Sequence, residues 1–529
     1  MMETPLTLRL AFDRARTLFG NKEIVTKTPD GTARTNYEAL CARVERLASA
    51  LHDMGVRPGD RVGTFGWNSA RHLELYLAVP SMGAVLHTLN IRLHPEQVAW
   101  IANHAEDSVI FIDDSLLPAF EKVAPHVTTA KRFVIMGDGP LPETTITADS
   151  YEELVEAGHP TFAWPDLDES QACAMCYTSG TTGDPKGVVY SHRSMFLHAL
   201  MSGMVDTNGV CENDRVLPVV PMFHANAWGL PWAATLTGAS QIFPAQFMTP
   251  VDIARLIASE RVTFAAAVPT IWIGMLQCLD QERLDLSSLE RIIAGGSAVP
   301  LSLIQAYEQR GMKIVQGWGM TETGPLASLS RLTGHIEERS SDEQMRFRAR
   351  QGLPVPGIEL RIVGDDGVPA PWDGEAMGEV QVRGNWVART YYNDPRSPQS
   401  WTEDGWLRTG DVGIVDPTGY VQLVDRTKDL VKSGGEWISS VDLEGALMGH
   451  PKVLEAAVIA IPHEQWSERP LACVVCKPGQ RATKDELIEF LAPSFPKWWL
   501  PDDVLFLEEI PKTSVGKFDK KVLRAKFAG

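Results

Sequence analysis

The chain has 529 residues, of which 44% are hydrophobic and 22% are charged, and at roughly 150 residues per domain this length predicts about 3–4 domain-sized units. The composition excludes a wholly disordered chain, a collagen-like chain and a small disulfide-stabilised protein. The formal net charge of −18 argues against a nucleic-acid-binding protein, because that binding depends on an excess of Lys and Arg.

The N-terminal segment carries charged residues that interrupt any apolar stretch of the kind found in a secretory signal, so no targeting segment is visible. The segment from Val216 to Val251 has no Asp, Glu, Lys or Arg, but five prolines within it would break a membrane-spanning helix repeatedly. We therefore expect this segment to line an apolar interior cavity. We also expect a cytoplasmic protein without integral membrane association.

Two C-x-x-C pairs stand out among the seven cysteines, and a zinc site is one interpretation of such pairs. Cys173 and Cys176 lie in one apolar, strand-like run, and Cys473 and Cys476 lie in another. Residues i and i+3 of a strand face opposite sides, so neither pair can bind one ion. We expect buried strand thiols, which are consistent with a reducing compartment.

Most of the chain alternates helical and strand-like segments, which is typical of an α/β fold with largely parallel sheets. The amphipathic stretch Pro250–Ser259 precedes a predicted strand at Val262–Val268. Two further predicted strands, Leu289–Ala294 and Lys313–Gln316, each end at glycine. Because loops at the carboxyl ends of parallel strands open onto a crevice, a ligand site is expected there.

The first chemical motif runs from Tyr177 to Gly187 between two apolar strands and is rich in Ser, Thr and Gly. Such residues let the backbone curl so that its amides and hydroxyls converge on phosphate oxygens. The spacing before Lys186 differs from that of a Walker A loop, because Pro185 immediately precedes the lysine. A mobile surface hairpin has the same composition, so this motif alone leaves both interpretations open.

Two more motifs follow strand-like segments. Gln316–Thr323 combines an aromatic ring for stacking on a purine, threonine hydroxyls for phosphate and a carboxylate for a metal ion, although a capped glycine turn has a similar sequence. Asp411, in Thr409-Gly410-Asp411, has two acceptor oxygens suited to both hydroxyls of a ribose. By itself, that aspartate is also typical of an ordinary turn.

The pattern changes near Ile358 to short alternating strands separated by turn signals, as in a β-rich subdomain. The predicted strands of this part are Glu359–Val363, Glu379–Arg383 and Tyr420–Val424. A final block of about 100 residues follows, as its own α+β unit. Its predicted elements are strands at Glu455–Ala460 and Leu471–Cys476 and a helix at Lys484–Leu491.

Two basic motifs flank and end this final block. Asp425–Trp437 lies at the join and contains a Gly-Gly pair with basic residues, which is typical either of a solvated linker or of a loop that closes over a polyphosphate. Pro511–Lys521 is either a basic tail or a tight loop that presents Lys517, the second being favoured by Gly516.

The order of these five motifs resembles that of the acyl-adenylate-forming superfamily of acyl-CoA synthetases, adenylation domains and luciferases, from about residue 20 to the end. Within it the chain is most similar to bacterial fatty-acyl-CoA synthetases of the long- and medium-chain type, and a ligase for 3-(methylthio)propionate shares much of the pattern. The segments that carry this closer match are His87–Asn90, His224–Trp228 and Lys432–Ser440.

The resemblance implies an α/β fold with a large N-terminal domain, residues 1–426, made of αβ-layered sheets plus a β-rich subdomain. A small α+β C-terminal domain, residues 427–529, would be hinged to it at Lys428. The family uses ATP, Mg²⁺ and coenzyme A, and long-chain relatives form homodimers.

The resemblance also implies roles for individual residues. Thr178 and Glu322 would hold Mg²⁺, and Lys517 would reach the α-phosphate as the catalytic lysine. His224, Trp228 and Gly295 would line the acyl pocket. The residues implied to contact the nucleotide are Ser179, Gly180, Thr181, Thr182, Gly183, Lys186, Gly296, Gln316, Gly317, Trp318, Thr321, Asp411, Arg426, Lys428, Lys432 and Trp437.

The implied reaction activates a hydrophobic aliphatic carboxylate to acyl-AMP, releases pyrophosphate and passes the acyl group to CoA. Alternatives are a ligase for a short acid such as 3-(methylthio)propionate and an acyl-AMP ligase that serves a carrier protein. A catalytically inactive nucleotide binder would have lost Lys517, Glu322 or Asp411, and all three are present. The sequence departs from the family at Trp318, usually tyrosine, and at Asp184, more often apolar.

Overall fold

The protein is described by a computed structural model that covers residues 1–178, 184–279, 282–434, 436–514 and 516–528. The strands of these residues are β1 (Glu23–Thr28), β2 (Gly31–Asn36), β3 (Arg61–Phe65), β4 (Val85–Thr88), β5 (Asp107–Asp113), β6 (Arg132–Met136), β7 (Ala148–Ser150), β8 (Ala172–Thr178), β9 (Lys186–Ser191), β10 (Arg215–Pro218), β11 (Ser240–Phe243), β12 (Phe264–Ala267), β13 (Arg291–Gly295), β14 (Lys313–Gly319), β15 (Leu326–Leu329), β16 (Leu353–Pro354), β17 (Ile358–Val363), β18 (Gly378–Gly384), β19 (Leu407–Val415), β20 (Val421–Arg426), β21 (Val431–Ser433), β22 (Glu436–Ile438), β23 (Val453–His463), β24 (Ser467–Cys476) and β25 (Asp503–Phe506).

The helices of the same residues are α1 (Arg9–Leu18), α2 (Tyr37–Asp53), α3 (Ala70–Ser81), α4 (Pro95–Ala105), α5 (Leu117–Phe120), α6 (Tyr151–Ala157), α7 (His192–Ser202), α8 (Ala225–Trp228), α9 (Leu230–Thr237), α10 (Pro250–Glu260), α11 (Pro269–Leu279), α12 (Leu301–Glu308), α13 (Gly334–Glu337), α14 (Ser341–Arg348), α15 (Ser440–Met448), α16 (Lys484–Leu491) and α17 (Lys520–Phe527). The segment α8 is a left-handed turn, because Asn226 and Ala227 have φ of 51° and 49°.

Two large sheets form most of the protein. One has the strand order β16-β15-β14-β13-β12-β10-β11-β1-β2, and the other has the order β7-β6-β5-β3-β4-β8-β9. Their inner strands pair in parallel, as β10, β12, β13 and β14 do in the first sheet. The α/β class predicted from the alternating pattern is therefore confirmed.

Two smaller sheets complete the fold. Strands β17-β18-β19-β20 form an antiparallel sheet that ends at Arg426. Strands β21 to β25, which begin at Val431, form a separate sheet with its own core of Val431, Leu443, Val458 and Leu487. A large N-terminal domain with a β-rich part and a small C-terminal domain are thus present, as predicted.

Local sequence signals explain why several elements begin where they do. The predicted helix at Lys484–Leu491 is α16, which Thr483 caps by accepting a hydrogen bond from the backbone amide of Glu486. In α10, Thr249 is the capping residue and Pro250 occupies the first turn, where its missing amide costs nothing.

Strand β14 is longer than predicted. The sequence placed its end before Gly317, but the strand continues to Gly319 because Gly317 and Trp318 pair with Leu329 and Ser328 of β15. The glycine cluster is therefore part of an interior strand, between β13 and β15, rather than a turn.

The cysteines and the uncharged segment behave largely as expected. Cys173, Cys176 and Cys473 are buried on β8 and β24, whereas Cys476 is only partly buried, which corrects that position. The described residues contain no group of three or more His, Cys, Asp or Glu placed to hold a metal ion. Residues of the uncharged segment, including Trp228, line a large cavity. Among the described helices, none combines the length and apolarity that crossing a membrane requires.

Candidate functional site

A cavity of about 1090 Å³ lies where strands β8, β13, β14 and β19 meet the C-terminal domain. Most of the predicted site residues converge on it although they are far apart in the chain. The predicted residues that line it are Thr178, Lys186, His224, Trp228, Gly295, Gly296, Gln316, Gly317, Trp318, Thr321, Glu322, Asp411, Arg426, Lys428 and Lys517.

Two groups of predicted residues stand apart from this lining. Ser179, Gly180, Thr181, Thr182 and Gly183 lie outside the described residues. Lys432 and Trp437 pair across the β21–β22 hairpin, with the ammonium 5.0 Å from the indole centroid, and are not among the described residues that line the cavity. The structure therefore does not bring that hairpin to the nucleotide residues.

The loop that carries Lys517 is a tight turn closed by its own backbone. The amide of Thr513 donates to the carbonyl of Lys517 at 2.7 Å, and the amide of Lys517 donates to the Thr513 hydroxyl at 3.2 Å. Gly516 has φ of +84°, a conformation that glycine adopts without strain. The tight loop, rather than a basic tail, is thus what this segment forms.

The same loop is held against the large domain by three hydrogen bonds. Asn90 donates to the Ser514 hydroxyl at 3.0 Å, Arg92 donates to the Ser514 carbonyl at 3.1 Å, and Thr270 donates to the Gly516 carbonyl at 3.3 Å. Sequence reasoning named the segment containing Asn90 but gave it no role. These contacts fix where Lys517 enters the cavity.

Lys517 passes over Gly296 to reach the cavity. Gly296 has φ of +88°, a conformation that favours glycine, and a Cβ atom there would lie only 3.0 Å from Cε of Lys517, so a larger residue would crowd the lysine side chain. Burial, with the nearby Arg426 guanidinium, lowers the pKa of Lys517 to about 8, while Asp411 and Glu322 oppose this shift. The amine is therefore still mainly cationic at pH 7.

Asp411 is buried and held by donors on both carboxylate oxygens. The Trp318 indole N–H donates to Oδ2 at 2.9 Å, and Arg426 approaches Oδ1 at 2.9 Å. Trp318 was predicted only as a stacking surface, and the sequence did not indicate its hydrogen bond to Asp411. Proximity to Asp411 raises the pKa of Arg426.

Glu322 is a second buried carboxylate in the cavity lining, and it accepts a hydrogen bond from Tyr391 at 2.7 Å. Burial and the neighbouring carboxylate raise the pKa of Tyr391, so its hydroxyl remains a donor. Lys186 lies 4.5 Å from the centre of the Tyr391 ring. Sequence reasoning missed Tyr391, since no local motif distinguishes it.

An apolar arm of the cavity begins at Gly295. A Cβ there would lie 2.7 Å from the Gly317 carbonyl oxygen and 3.1 Å from Trp228, so this position requires glycine. His224 lies beside it, where burial and the cations Lys517 and Arg92 lower its pKa to about 3 and keep the imidazole neutral.

Apolar residues line the cavity beside Gly295. Leu230, Ala266 and Ile293 are part of this lining, and so is the buried Asn208. Arg291 donates to the carbonyl of the adjacent Gly209 at 2.5 Å.

Comparison with known proteins agrees with this arrangement. Residues 12–392 match the family model of the AMP-binding enzyme, and residues 442–517 match that of the AMP-binding enzyme C-terminal domain. The chain is 49% identical to a long-chain-fatty-acid–CoA ligase of Thermus thermophilus, covering 100% of this chain and 96% of the relative. It is 43% identical to a 3-methylmercaptopropionyl-CoA ligase of Ruegeria lacuscaerulensis, covering 100% and 98%.

Among solved structures, the chain is similar to the anthranilate CoA ligase AuaEII in complex with anthranoyl-AMP. The TM-score is 0.89 at 26% identity, covering 99% of this chain and 98% of that one. Together with the family match over most of the sequence, this likeness leaves one conclusion. The chain belongs to the AMP-binding enzyme family.

Proposed function

We propose that the protein is an ATP-dependent acyl-CoA ligase that activates an aliphatic carboxylate as acyl-AMP and transfers the acyl group to CoA. The observation that carries this proposal is the delivery of the Lys517 amine, by a loop docked on the large domain, into a cavity shared with Asp411 and Glu322. The apolar arm beside it supplies room for the acid.

In the first step the carboxylate oxygen attacks the α-phosphorus of ATP and pyrophosphate leaves. Because an anion approaches a polyanion, catalysis consists mainly of positioning and charge stabilisation. Lys517 offsets charge on the α-phosphate oxygens, and Lys186, at the start of β9, faces the departing phosphates. The neutral His224 adds no charge beside the incoming carboxylate.

Asp411 supports the assignment of the ribose end of the nucleotide. Its two oxygens are already oriented by Trp318 and Arg426, so the carboxylate does not have to reorganise when ribose hydroxyls approach.

The donor set of Thr178 and Glu322 fits Mg²⁺, which prefers hard oxygen ligands and combines one or two carboxylates with substrate phosphates. Both residues line the cavity, and a hydrogen bond from the Tyr391 hydroxyl orients the Glu322 carboxylate. A bound Mg²⁺ would supply positive charge to the pyrophosphate. Thr178 and Glu322 are the residues we propose to hold it.

The acyl arm supports a medium- or long-chain acid. Its walls at Leu230, Ala266 and Ile293 are apolar, and each methylene buried there contributes about 0.8 kcal/mol. The similarity to a 3-methylmercaptopropionyl-CoA ligase keeps a short acid as the alternative, because a short chain would fill only the start of this arm.

For the second step we propose that the C-terminal domain, residues 427–529, rotates about Lys428 and withdraws Lys517 so that the CoA thiol reaches the acyl carbonyl. The exposed Lys432 on the β21–β22 hairpin, together with Trp437, then becomes available to face the cavity. Homodimer formation through the large domain and a cytoplasmic location stay predictions.

A carboxylate panel tests the proposal. Purified protein with ATP and acids from propionate and 3-(methylthio)propionate to palmitate is assayed for AMP release with and without CoA. An acyl-CoA ligase releases AMP continuously only with CoA. A carrier-protein ligase gives the same small AMP release in both conditions, and an inactive nucleotide binder releases no AMP with any acid.

A further inference from the structure

The turn that carries Trp228 has an unusual backbone. Ala225, Asn226, Ala227 and Trp228 have φ of 43°, 51°, 49° and 56°, and Gly229 follows with 71°. Consecutive non-glycine residues rarely adopt this left-handed conformation, which persists only where the surroundings impose it. Something in the packing around this turn must therefore hold it.

A buried chain of hydrogen bonds provides that support. The Thr88 hydroxyl lies 3.3 Å from the Cys176 sulfur, which donates to the Asn226 side-chain oxygen at 3.2 Å. The Asn226 side-chain amide donates to the Tyr76 hydroxyl at 3.2 Å, and Tyr76 donates to the Met222 carbonyl at 2.5 Å. Burial raises the pKa of Cys176 to about 11, so the thiol keeps its proton and acts as a donor.

From the Cys176 thiol onward, the direction of this chain is consistent. Each group donates to the next, and the last acceptor is a backbone carbonyl. Cys176, Asn226 and Tyr76 are buried, whereas Trp228, two residues after Asn226, reaches the cavity. The network therefore contacts the turn on its buried side and does not reach the space that a substrate would occupy.

The network also joins two parts of the site. Cys176 lies on β8 two residues before Thr178, and Asn226 lies in the turn that places Trp228 against Gly295 at the mouth of the acyl arm. A single hydrogen bond between Cys176 and Asn226 thus connects the strand leading to the phosphate side with the wall of the acyl side.

We propose that Cys176 and Asn226 are positioning residues that fix Trp228 at the mouth of the acyl arm and thereby set the preference among acids of different length. This inference rests on the proposed function. A buried thiol and a buried amide would then control which acids the enzyme prefers, although neither lines the cavity.

The test compares acids from C4 to C16 by kcat/KM in wild type and in Asn226→Ala, which loses both side-chain hydrogen bonds. We expect the ratio of long-chain to short-chain kcat/KM to change on the order of tenfold, while the value for butyrate changes little. Cys176→Ala should shift the ratio in the same direction, and Cys176→Ser, which keeps a donor, should retain the wild-type ratio.

Cys173→Ala is the matched control, because Cys173 is a buried thiol on the same strand. Its ratio should equal that of wild type. In a Trp228→Ala background, Asn226→Ala should cause no additional change in ratio, since the residue through which it acts is gone.

Two results overturn the inference. One is an unchanged ratio in both Asn226→Ala and Cys176→Ala, and the other is an equal loss for every acid, which indicates only a structural role. If Asn226→Ala does not fold, the kcat/KM ratio of Cys176→Ala is compared with that of Cys173→Ala, and equal ratios overturn the inference. Failure of the proposed function is a different observation, since wild type would then release no pyrophosphate with any acid.

Discussion

Replacing Lys517 by Ala removes the cation that the 512–518 loop delivers to the cavity. A preorganised charge-stabilising donor contributes about 2.7–4 kcal/mol to the transition state, so the rate of adenylate formation should fall by about 10²–10³-fold. The neighbouring Arg426 does not compensate, because Asp411 already engages its guanidinium. The assay is acid-dependent pyrophosphate–ATP exchange.

The second half-reaction supplies the internal comparison. With acyl-AMP provided, thiolysis by CoA should proceed at nearly the wild-type rate, because Lys517 is proposed to leave the cavity before that step. Lys512→Ala is the matched control: Lys512 is an exposed lysine of the same loop, pairs with Glu455 at 2.7 Å and is not among the described residues that line the cavity. Equal losses in both half-reactions of Lys517→Ala would refute the assignment.

The depressed pKa of Lys517 adds a pH dependence with a defined sign. Its pKa is lowered to about 8, so the active, protonated amine predominates at pH 7 and is lost as pH rises through about 8. For the adenylation half-reaction, kcat/KM for ATP reports groups of the free enzyme and should decline above that pH. The same decline in Lys517→Ala would contradict this explanation.

Three further changes test other parts of the site. Ile293→Phe should shorten the acyl arm. Excluding two methylenes costs about 1.6 kcal/mol, so kcat/KM for the longest acids should fall about fifteenfold while the value for propionate is unaffected. Equal losses for both acids would contradict this. Glu322→Gln should raise the Mg²⁺ concentration for half-maximal adenylation about tenfold, measured by titration, and an unchanged titration would exclude the metal role. Asn90→Ala removes one docking hydrogen bond and should slow adenylation about 2–10-fold, with thiolysis of supplied acyl-AMP unchanged.

Much of the fold was predictable because local signals agree with the tertiary structure. Helix α16 was predicted with its observed bounds, and β13 and β17 lie within two residues of their predicted ends. Strand β14 is longer than predicted because its last residues pair with β15, and a local sequence pattern does not reveal that pairing.

The site was predictable to the extent that its chemistry lies in ordered motifs. Lys517, Asp411 and Glu322 all line the cavity, as the resemblance implied. Tyr391 was missed because its role depends on a hydrogen bond to Glu322 across 69 residues. The left-handed turn at Ala225–Trp228 was missed for a related reason, since it is imposed by distant buried partners rather than by glycine at those positions.

The contacts that hold the Lys517 loop on the large domain are weak enough to break during the proposed rotation. Three hydrogen bonds, from Asn90, Arg92 and Thr270, join the loop to the large domain, and at about 0.5–1.5 kcal/mol each they favour the docked arrangement by about 1.5–4.5 kcal/mol. A ligand reverses a bias of this size only if its affinities for the two arrangements differ by more than about 10–2000-fold. Departure of pyrophosphate removes several negative charges from the cavity into which Lys517 reaches. Fewer anionic groups then attract the Lys517 amine, which lies beside the Arg426 guanidinium, and we propose that the first step itself thereby weakens the docked arrangement.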